Sequence, residues 1–403
     1  MAAQPVLSIC VPSRNRQEYF EATIIDLLRS PRTDVEFVFA DNSDDPDPMN
    51  RFMAQHRDDP RVTYLPSEDT VLSMTDNWER TIARATGRWV TFVGDDDYAD
   101  PELAGLLPEL ERRAGRVDSL SWNPVNYFWP EVGRPPRTVS LGLGNRLTRM
   151  HQQDLMARSF GWQGATHLPR SGGSVYHGAV SRALLETIRD RSGGRYFETP
   201  IVDFEMACKV IITGETFFLA ERPFSIGGVC PKSNSASYKT VRDKDKALDE
   251  FMAEQRQNWF RNPLIGDTAF SERPGVPASI LLVQQWIAAK YGVDQRGYEA
   301  NFVAALAFEC NLNRDRQSFE IVAERTRSQL ARWQDGRYFD LFRPVYSDSP
   351  LDPQTNGVLW YGWRPKAGVL SFAGNAAGVA TAGEVYGLIQ SLIPLPSELD
   401  LHV

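Results

Sequence analysis

The stretch Trp89-Val90-Thr91-Phe92-Val93-Gly94-Asp95-Asp96-Asp97 joins a run of mostly apolar residues to three consecutive carboxylates. The apolar part has the length and composition of a buried β-strand. Three adjacent carboxylates repel one another, so we expect a nearby cation to offset their charge. This stretch predicts a strand whose carboxyl end carries acidic groups to a ligand or metal site, and the alternative is a solvated acidic turn.

Two earlier segments repeat this arrangement of a buried strand followed by polar residues. Ser13–Arg16 follows the first predicted strand, and Asp41–Asp45 follows the second. A helical pattern over Glu18–Leu28 separates them, and strands alternating with helices indicate a mostly parallel sheet covered on both faces. The carboxyl ends of such strands form one crevice, where we expect the three polar clusters to converge. The predicted strands are Val6–Val11, Val35–Ala40, Val62–Leu65 and Trp89–Val93.

The residue types in these clusters suit a phosphorylated ligand and a hard cation. Oxygen ligands from Asp95–Asp97 favour Mg²⁺ or Mn²⁺, which often share substrate phosphates with the protein. Asp41–Asp45 is either a simple turn or a set of acceptors for a base or ribose. Arg14 and Arg16 are either surface arginines or donors of charge-assisted hydrogen bonds to a diphosphate. Asp100, just before a proline, is assigned to helix capping.

Length and charge limit the class of protein. The chain has 403 residues, more than one ordinary domain core requires, so two domains are expected. A hydrophobic fraction of 42% and a charged fraction of 24% are typical of a globular protein. A formal net charge of −8 argues against nucleic acid as a partner recognised through the overall field.

Neither a transmembrane segment nor a secretory signal is apparent in the sequence. The apolar runs are much shorter than the roughly 18 residues of a membrane span, and the N-terminus lacks a charged segment followed by an apolar one. The cysteines Cys10, Cys208, Cys230 and Cys310 lack metal-ligand spacing and are expected to be buried thiols. We therefore expect a cytoplasmic protein, with peripheral association at the inner face of the membrane as an option.

Four segments together resemble family 2 glycosyltransferases. Ser8–Arg16 resembles the opening of that family, and Asp41–Asp45 resembles its second acidic stretch. Asn77 and Gly87 fall where a helix of the family carries an Asn and ends in Gly. Val90–Asp97, followed by a proline at 101, is similar to its metal-binding segment. The resemblance covers residues 5–110 well and continues weakly to about residue 225.

This resemblance implies a GT-A fold, which is α/β and Rossmann-like with a mostly parallel sheet flanked by helices. It also implies an inverting transfer of sugar from a nucleoside diphosphate donor, with uridine expected as the nucleoside, and Mn²⁺ or Mg²⁺ as cofactor. Arg14 replaces an aromatic residue common in the family, which argues against uracil stacking there. Gly94 replaces a common Asp, which shifts the expected metal ligands to Asp96 and Asp97.

The donor-binding residues follow from the same resemblance. Pro12, Asn15 and Asp41 are expected to shape the nucleoside pocket, and Asp95 to approach the ribose or the sugar. The full predicted set of donor-binding residues is Pro12, Ser13, Arg14, Asn15, Arg16, Asp41, Ser43, Asn77 and Asp95.

Inversion requires a base that takes the proton of the acceptor hydroxyl. The family places this acid at the start of a helix in the second half of the domain, where Thr199–Lys209 lies in this chain. Asp203 fits this position best, with Glu205 in reserve, although acids at a helix start also stabilise the helix dipole. His177 is a candidate for lining the acceptor site, but a lone histidine is more often structural.

The predicted domain boundary lies near residue 240. Residues 1–240 form the expected catalytic domain, with nucleotide-sugar binding in about 1–110 and the acceptor part in about 111–240. Residues 241–403 are expected to form a mainly α-helical accessory domain, which borders the acceptor cleft and is not needed for donor binding. Its predicted helices are 243–258, 278–291, 298–311 and 317–333. A homo-oligomer is left open.

Two other functions compete with glycosyl transfer. A sugar-nucleotide pyrophosphorylase would need a glycine-rich N-terminal loop ending in lysine, and residues 12–18 contain no glycine. A non-catalytic carbohydrate-binding or scaffold protein would not need the acidic triplet. The expected acceptor is a saccharide or a lipid-linked saccharide, by analogy in bacterial surface polysaccharide synthesis.

Overall fold

The computed structural model describes residues 4–169, 172–233, 240–255, 259–266, 269–348 and 361–402. In these ranges its strands are β1 Leu7–Ser13, β2 Val35–Asp41, β3 Val62–Leu65, β4 Trp89–Phe92, β5 Tyr98–Ala99, β6 Ser119–Trp122, β7 Val125–Phe128, β8 Thr138–Gly142, β9 Arg146–Met150, β10 Gly178–Ser181, β11 Phe217–Ala220, β12 Ser225–Val229, β13 Gly362–Arg364, β14 Val369–Ala373 and β15 Asp400–His402.

The helices of the same ranges lie mostly on the faces of the sheet or in a segment beyond residue 240. They are α1 Gln17–Leu28, α2 Asp47–Met53, α3 Met74–Arg84, α4 Leu103–Ala114, α5 Gln152–Ser159, α6 Arg182–Arg191, α7 Val202–Thr213, α8 Val241–Ala253, α9 Val276–Tyr291, α10 Glu299–Asn311, α11 Arg316–Arg332 and α12 Ala382–Gln390. Among the described residues, none of these helices has the length and apolarity needed to span a bilayer.

A central sheet positions the site. Its strand order in the described chain is β15-β9-β11-β6-β10-β4-β1-β2-β3. β3, β2, β1 and β4 are parallel neighbours, while β10 runs antiparallel between β4 and β6. The predicted α/β fold with a mostly parallel sheet is therefore confirmed.

β1, β2 and β4 are buried on both faces because their apolar residues point alternately to two cores. Ile9 and Phe37 face one core, which α1 and α4 cover. Cys10, Val38 and Val90 face the other, which α3 and α7 cover. Successive side chains of a strand point to opposite faces, and both faces are buried here, so these strands consist of continuous runs of mostly apolar residues. All four cysteines of the chain are buried, as predicted.

The four helices predicted after residue 240 are present as α8 to α11. They pack around two further apolar clusters, one of which includes Trp162 from the preceding segment. The indole Nε1 of Trp162 donates to Gln284 Oε1 at 2.8 Å, which joins this segment to α9. Residues 256–258, at the end of the first predicted helix, lie outside the described residues.

Residues 362–402 differ from the predicted helical accessory domain. β14 pairs with β8, and β15 extends the central sheet by pairing with β9. α12 packs against α1, β5 and β12, where the hydroxyl of Thr381 and the N–H of Gly383 donate to Asp26 Oδ2. These strand pairings were not predicted, because they join residues that are distant in sequence and leave no local periodic pattern. A domain boundary near residue 240 stays a prediction, and it concerns only the segment of α8 to α11.

Candidate active site

The carboxyl ends of β1, β2 and β4 meet in one crevice, as the strand pattern predicted. The hydroxyl of Ser13, the last residue of β1, donates to Asp95 Oδ2 at 2.7 Å. The backbone N–H of Asn42, just after β2, donates to the carbonyl of Ser13 at 3.0 Å. Pro12 lies buried in β1 beneath this junction. Residues about 80 positions apart therefore share one site.

Asp41 is the centre of a buried hydroxyl cluster. Its Oδ1 accepts hydrogen bonds from the Ser43 N–H at 3.1 Å and the Ser43 hydroxyl at 2.6 Å. Its Oδ2 accepts from the Ser67 hydroxyl at 3.0 Å. Ser43 Oγ in turn accepts from the N–H of Asn15 at 2.9 Å, which joins the β1 and β2 loops. Both oxygens of Asp41 are therefore occupied, and a nucleoside hydroxyl would bind Asp41 by replacing one of these serine hydroxyls.

The loop after β1 is fixed to the loop after β2 by side chains. Asn15 has a φ of 56°, in the left-handed region that asparagine tolerates. Its amide exchanges two hydrogen bonds with Asp44, each 2.9 Å long. Arg14 forms ion pairs with Asp44 and with Glu254, which follows α8. The helical segment beyond residue 240 thus reaches the edge of the crevice.

Asn77 lies one layer behind the crevice. It is buried in α3, and its Oδ1 accepts from Nε of Arg80 at 2.9 Å. Arg80 in turn donates to the backbone carbonyl of Asp41. Asn77 was predicted to bind the donor, but the structure places it where it orients Arg80. Sequence reasoning missed Arg80 because a helical arginine is usually on the surface.

Backbone contacts hold the acidic triplet in a tight turn. The hydroxyl of Thr23 in α1 lies 2.9 Å from the carbonyl oxygen of Asp95 and 3.0 Å from that of Asp97. The indole of Trp129 donates to the carbonyl of Asp96 at 2.8 Å. These contacts orient the three side chains differently.

Asp97 points away from the crevice. Its Oδ2 accepts from the N–H of Gly94 at 2.6 Å and from the hydroxyl of Tyr176 at 2.9 Å, and lies 3.3 Å from Nε2 of His177. Its Oδ1 accepts from the N–H of Gly228 at 2.7 Å. Burial alone would raise the pKa of Asp97, but His177 and these donors lower it. Both oxygens are engaged, so the structure does not support Asp97 as a metal ligand, in contrast to the prediction.

Asp95 and Asp96 each direct one carboxylate oxygen to the guanidinium of Arg16. Nη1 of Arg16 lies 3.2 Å from Asp95 Oδ1 and 3.4 Å from Asp96 Oδ1. Burial raises the pKa of both carboxyl groups, that of Asp95 to about 7, while Arg16 opposes the shift.

The other oxygen of Asp96 is held by a segment that follows β12. Asp96 Oδ2 accepts from the hydroxyl of Ser233 at 2.5 Å and from the N–H of Cys230 at 3.0 Å. The paired oxygens Asp95 Oδ1 and Asp96 Oδ1 fit a hard divalent cation, which takes oxygen ligands and commonly completes its shell with phosphate and water. Within the described residues, no cluster of three or more acidic, histidine or cysteine side chains is arranged to hold a metal.

The two candidate bases have different surroundings. Glu205 is fully buried, and its oxygens accept from the N–H groups of Glu198 and Thr199 and pair with Lys209 at 2.5 Å. Asp203 lies half-buried in the first turn of α7. Burial raises its pKa, and backbone N–H groups and His177 only partly offset this. Asp203 is therefore the freer of the two to accept a proton, and Glu205 holds the segment that precedes the helix.

The contacts that downstream segments make with the acidic triplet were not predicted. Tyr176, Gly228, Cys230 and Ser233 contact the acidic triplet from segments more than 75 residues downstream. His177 was considered for the acceptor site and instead lies against Asp97. The glycine pair at 227 and 228 was the one available hint, because glycine in a strand often marks a close backbone approach.

Two sequence comparisons find proteins that resemble part of this chain. A family model described as Glycosyl transferase family 2 matches residues 8–162. The GalNAc(5)-diNAcBac-PP-undecaprenol beta-1,3-glucosyltransferase of Campylobacter jejuni is 29% identical over 110 residues, which are 27% of this chain and 35% of the relative. The match thus spans about a third of the relative's length.

Solved structures with a similar outline include S. aureus TarS. TarS 1–349 in complex with UDP-GlcNAc has a TM-score of 0.45 at 14% identity, covering 83% of this chain and 89% of that chain. A structure described simply as S. aureus TarS has a TM-score of 0.42 at 16% identity, covering 83% and 54%.

The family match contains β1, β2 and β4 and the acidic triplet, which are the parts that build the crevice. Residues 8–162 of this chain are therefore similar to glycosyl transferase family 2.

Proposed function

We propose that this protein is a metal-dependent, inverting glycosyltransferase that uses a nucleoside diphosphate sugar, with uridine as the nucleoside. The acceptor is the hydroxyl of a saccharide or a lipid-linked saccharide. The observation that carries the proposal is the convergence of Ser13, Asp41, Asp95 and Asp96 in one crevice within the family-matched region. Such a crevice at the carboxyl ends of parallel strands is where α/β proteins bind nucleotides.

In this proposal the donor lies across the ends of β1 and β2. Asp41 accepts hydrogen bonds from the nucleoside, since its present partners are hydroxyl and N–H groups, and the Ser43 hydroxyl can either accept or donate them. Arg14 and Arg16 border the crevice and supply positive charge for the diphosphate. Asn77 contributes indirectly by orienting Arg80.

Asp96, together with Asp95, would hold Mn²⁺ or Mg²⁺. The cation would neutralise negative charge on the leaving diphosphate. The chain's own contribution is the turn that fixes both carboxylates, which Thr23 and Trp129 hold through backbone carbonyls. Asp97 stabilises this turn from behind.

Asp203 takes the proton of the acceptor hydroxyl in this proposal. The acceptor oxygen forms a bond to the anomeric carbon, the bond from that carbon to the diphosphate breaks, and the proton passes to the Asp203 carboxylate. Its raised pKa increases its basicity near neutral pH. Glu205 is unsuited to this role because its oxygens are already hydrogen-bonded and ion-paired.

The proposed class of acceptor rests on the relative alone. The Campylobacter jejuni protein is named for a saccharide linked to undecaprenol. We extend this class of acceptor to the present chain, which would then act at the cytoplasmic face of the membrane in synthesis of a bacterial surface glycan.

Calorimetric titration with UDP, with and without Mn²⁺, tests the proposal first. We expect binding to tighten when Mn²⁺ is present. A scaffold protein that merely binds carbohydrate would show no metal-dependent nucleotide binding. Incubation with UDP-sugars and saccharide acceptors, followed by mass spectrometry, should then detect a product one sugar heavier and free UDP. If the protein instead converts a UDP-sugar and added pyrophosphate into UTP and sugar 1-phosphate, it is a pyrophosphorylase.

A further inference from the structure

One guanidinium nitrogen lies between the two carboxylates that were assigned to the metal. Nη1 of Arg16 is 3.2 Å from Asp95 Oδ1 and 3.4 Å from Asp96 Oδ1. Arg16 immediately precedes α1, and its carbonyl accepts the N–H groups of Tyr19 and Phe20. Its backbone is therefore fixed by the helix, and its side chain also contacts Cys230.

These two oxygens are the ones that the rest of the site leaves available. Asp95 Oδ2 and Asp96 Oδ2 accept hydrogen bonds from Ser13 and Ser233. Asp95 Oδ1 is buried and receives no hydrogen bond from the described residues. Buried carboxylate oxygens are costly to leave without a partner, so Arg16 supplies the charge that they need in the absence of a ligand.

The guanidinium and a divalent cation cannot occupy this place together. A magnesium-sized ion would have to lie about 2.0–2.1 Å from its oxygen ligands. At that distance from both Oδ1 atoms, on the side that Arg16 occupies, it would overlap the guanidinium nitrogen. Two positive charges in contact would also repel each other strongly in a buried site.

The donor offers Arg16 another partner. The Arg16 side chain is 21% exposed, against 0% for Asp95 and 5% for Asp96, so it is the member of the group that borders the open crevice. A diphosphate in that crevice would accept bidentate, charge-assisted hydrogen bonds from the guanidinium. Moving Arg16 from the carboxylates to the diphosphate would uncover both Oδ1 atoms.

Resting on the function proposed above, we infer that Arg16 occupies the metal position in the nucleotide-free protein and that the donor diphosphate draws it away. Metal and nucleotide then bind together, because each removes an obstacle to the other. Thermodynamic coupling of this kind is reciprocal, so the metal tightens nucleotide binding by the same factor.

Direct measurement of Mn²⁺ binding tests this inference without any assay of turnover. Mn²⁺ is added to the protein in the absence of nucleotide, and electron paramagnetic resonance measures the concentration of Mn²⁺ that stays unbound. We expect Arg16→Gln to bind Mn²⁺ about tenfold more tightly than the wild type, within the roughly 5- to 150-fold range of coupled sites. Arg16→Lys keeps a cation near the carboxylates and should bind Mn²⁺ as weakly as the wild type.

Arg14→Gln is the matched control. Arg14 lies two residues away and pairs with Asp44 and Glu254 instead of the triplet, so its loss should leave Mn²⁺ binding unchanged. Equal Mn²⁺ affinity in the wild type and Arg16→Gln would overturn the inference, as would tight binding by Arg16→Lys. Wild-type protein that fails to bind Mn²⁺ even with UDP present would instead refute the metal assignment, and this inference with it.

Discussion

Asp96 and Asp97 are neighbours in sequence, yet their carboxylates have different tasks. Asp96 directs Oδ1 to Arg16 in the crevice, whereas Asp97 accepts from Gly94 and Gly228 in the protein interior. A substitution at the first position should therefore affect ligand binding. The same substitution at the second should affect the stability of the turn.

The pair Asp96→Asn and Asp97→Asn separates these tasks. We expect Asp96→Asn to lose metal-dependent binding of UDP in calorimetric titration, with a melting temperature close to that of the wild type. Asp97→Asn places an amide among groups that donate hydrogen bonds, so the free energy of unfolding should fall by about 1–3 kcal/mol. Full transferase activity in Asp96→Asn would refute its assignment to the metal.

Asp203 and Glu205 form a second informative pair. Asp203→Asn should lower turnover by about 10² to 10⁴ and leave the dissociation constant for UDP little changed. Glu205→Gln should instead lower the free energy of unfolding by about 1–3 kcal/mol, because buried Lys209 loses one of its carboxylate partners. If turnover falls in Glu205→Gln at unchanged stability, Glu205 is the base.

The pH dependence of kcat/KM follows from the raised pKa of Asp203. A base must be unprotonated to act, so activity should rise as the pH passes upwards through this pKa and be lost as the pH falls through it. Because burial raises the pKa, the loss should occur at higher pH than for an exposed aspartate. The measurement is a pH profile of wild type and Asp203→Asn. An acidic limb that persists unchanged in the residual activity of the variant would belong to another group.

At the scale of elements, a small sheet with the strand order β5-β12-β7 completes the site and is separate from the central sheet that contains β1, β2 and β4. β12 brings the N–H of Gly228 to Asp97, and the residue after it, Cys230, lies against Asp96. A Cβ atom at Gly228 would lie 1.7 Å from the carbonyl oxygen of Asp96, so glycine is required there.

Gly228→Ala should therefore displace either β12 or the acidic turn. We expect the free energy of unfolding to fall by about 1–3 kcal/mol and UDP binding to weaken. Gly227→Ala is the control, because its Cβ would meet its nearest neighbour, Asn126 Oδ1, at an ordinary 3.5 Å. Thermal denaturation and titration with UDP of both variants provide the measurement, and equal behaviour of the two would contradict the packing argument.

The elements that sequence predicted well are those whose signal is local. β3 has the predicted bounds Val62–Leu65, and α1 begins one residue before the predicted Glu18. The polar clusters after β1, β2 and β4 marked the crevice because parallel strands place their ends on one side. β5 and β12 were not predicted, since β5 has two residues and both depend on partners far along the chain. The contacts of Asp97 with Tyr176 and Gly228 were not predicted for the same reason, because neither partner is close in sequence.

At the scale of the whole molecule, a buried polar network joins the acidic turn to the segment beyond residue 361. Asp100 Oδ2 accepts from the hydroxyl of Tyr386 at 2.6 Å and from Arg222 at 3.2 Å. Nε of Arg222 donates to the carbonyl of Pro394 at 2.7 Å. Asp100 was predicted to cap a helix, and its Oδ1 does accept from the N–H of Glu102, but this network also gives it a long-range task.

The sequence alone suggested that protein truncated near residue 240 would still bind the donor. With Tyr386 and Pro394 removed, Arg222 and Asp100 would lose buried partners and β9 would lose β15. We now expect this truncation to lose cooperative thermal unfolding. A folded truncation that binds UDP with wild-type affinity would contradict this expectation.

Tyr386→Phe tests the same network without removing any chain. Loss of the hydroxyl should lower the free energy of unfolding by about 0.5–1.5 kcal/mol, measured by chemical denaturation. Tyr361→Phe, at a residue that is 48% exposed, should have no measurable effect. Equal stability of the two variants would show that the contact between Tyr386 and Asp100 contributes little.

The pairing of β15 with β9 has a consequence for synthesis of the protein on the ribosome. β9 joins the sheet through β11, which ends at Ala220, and β15 begins at Asp400, so at roughly 5–20 residues per second about 9–36 s of elongation separate them. During that time the nascent chain presents β9 as an open sheet edge, and open edges invite pairing with other chains. Slowed translation should therefore increase aggregation of this protein, and a chaperone that covers strand edges should suppress it.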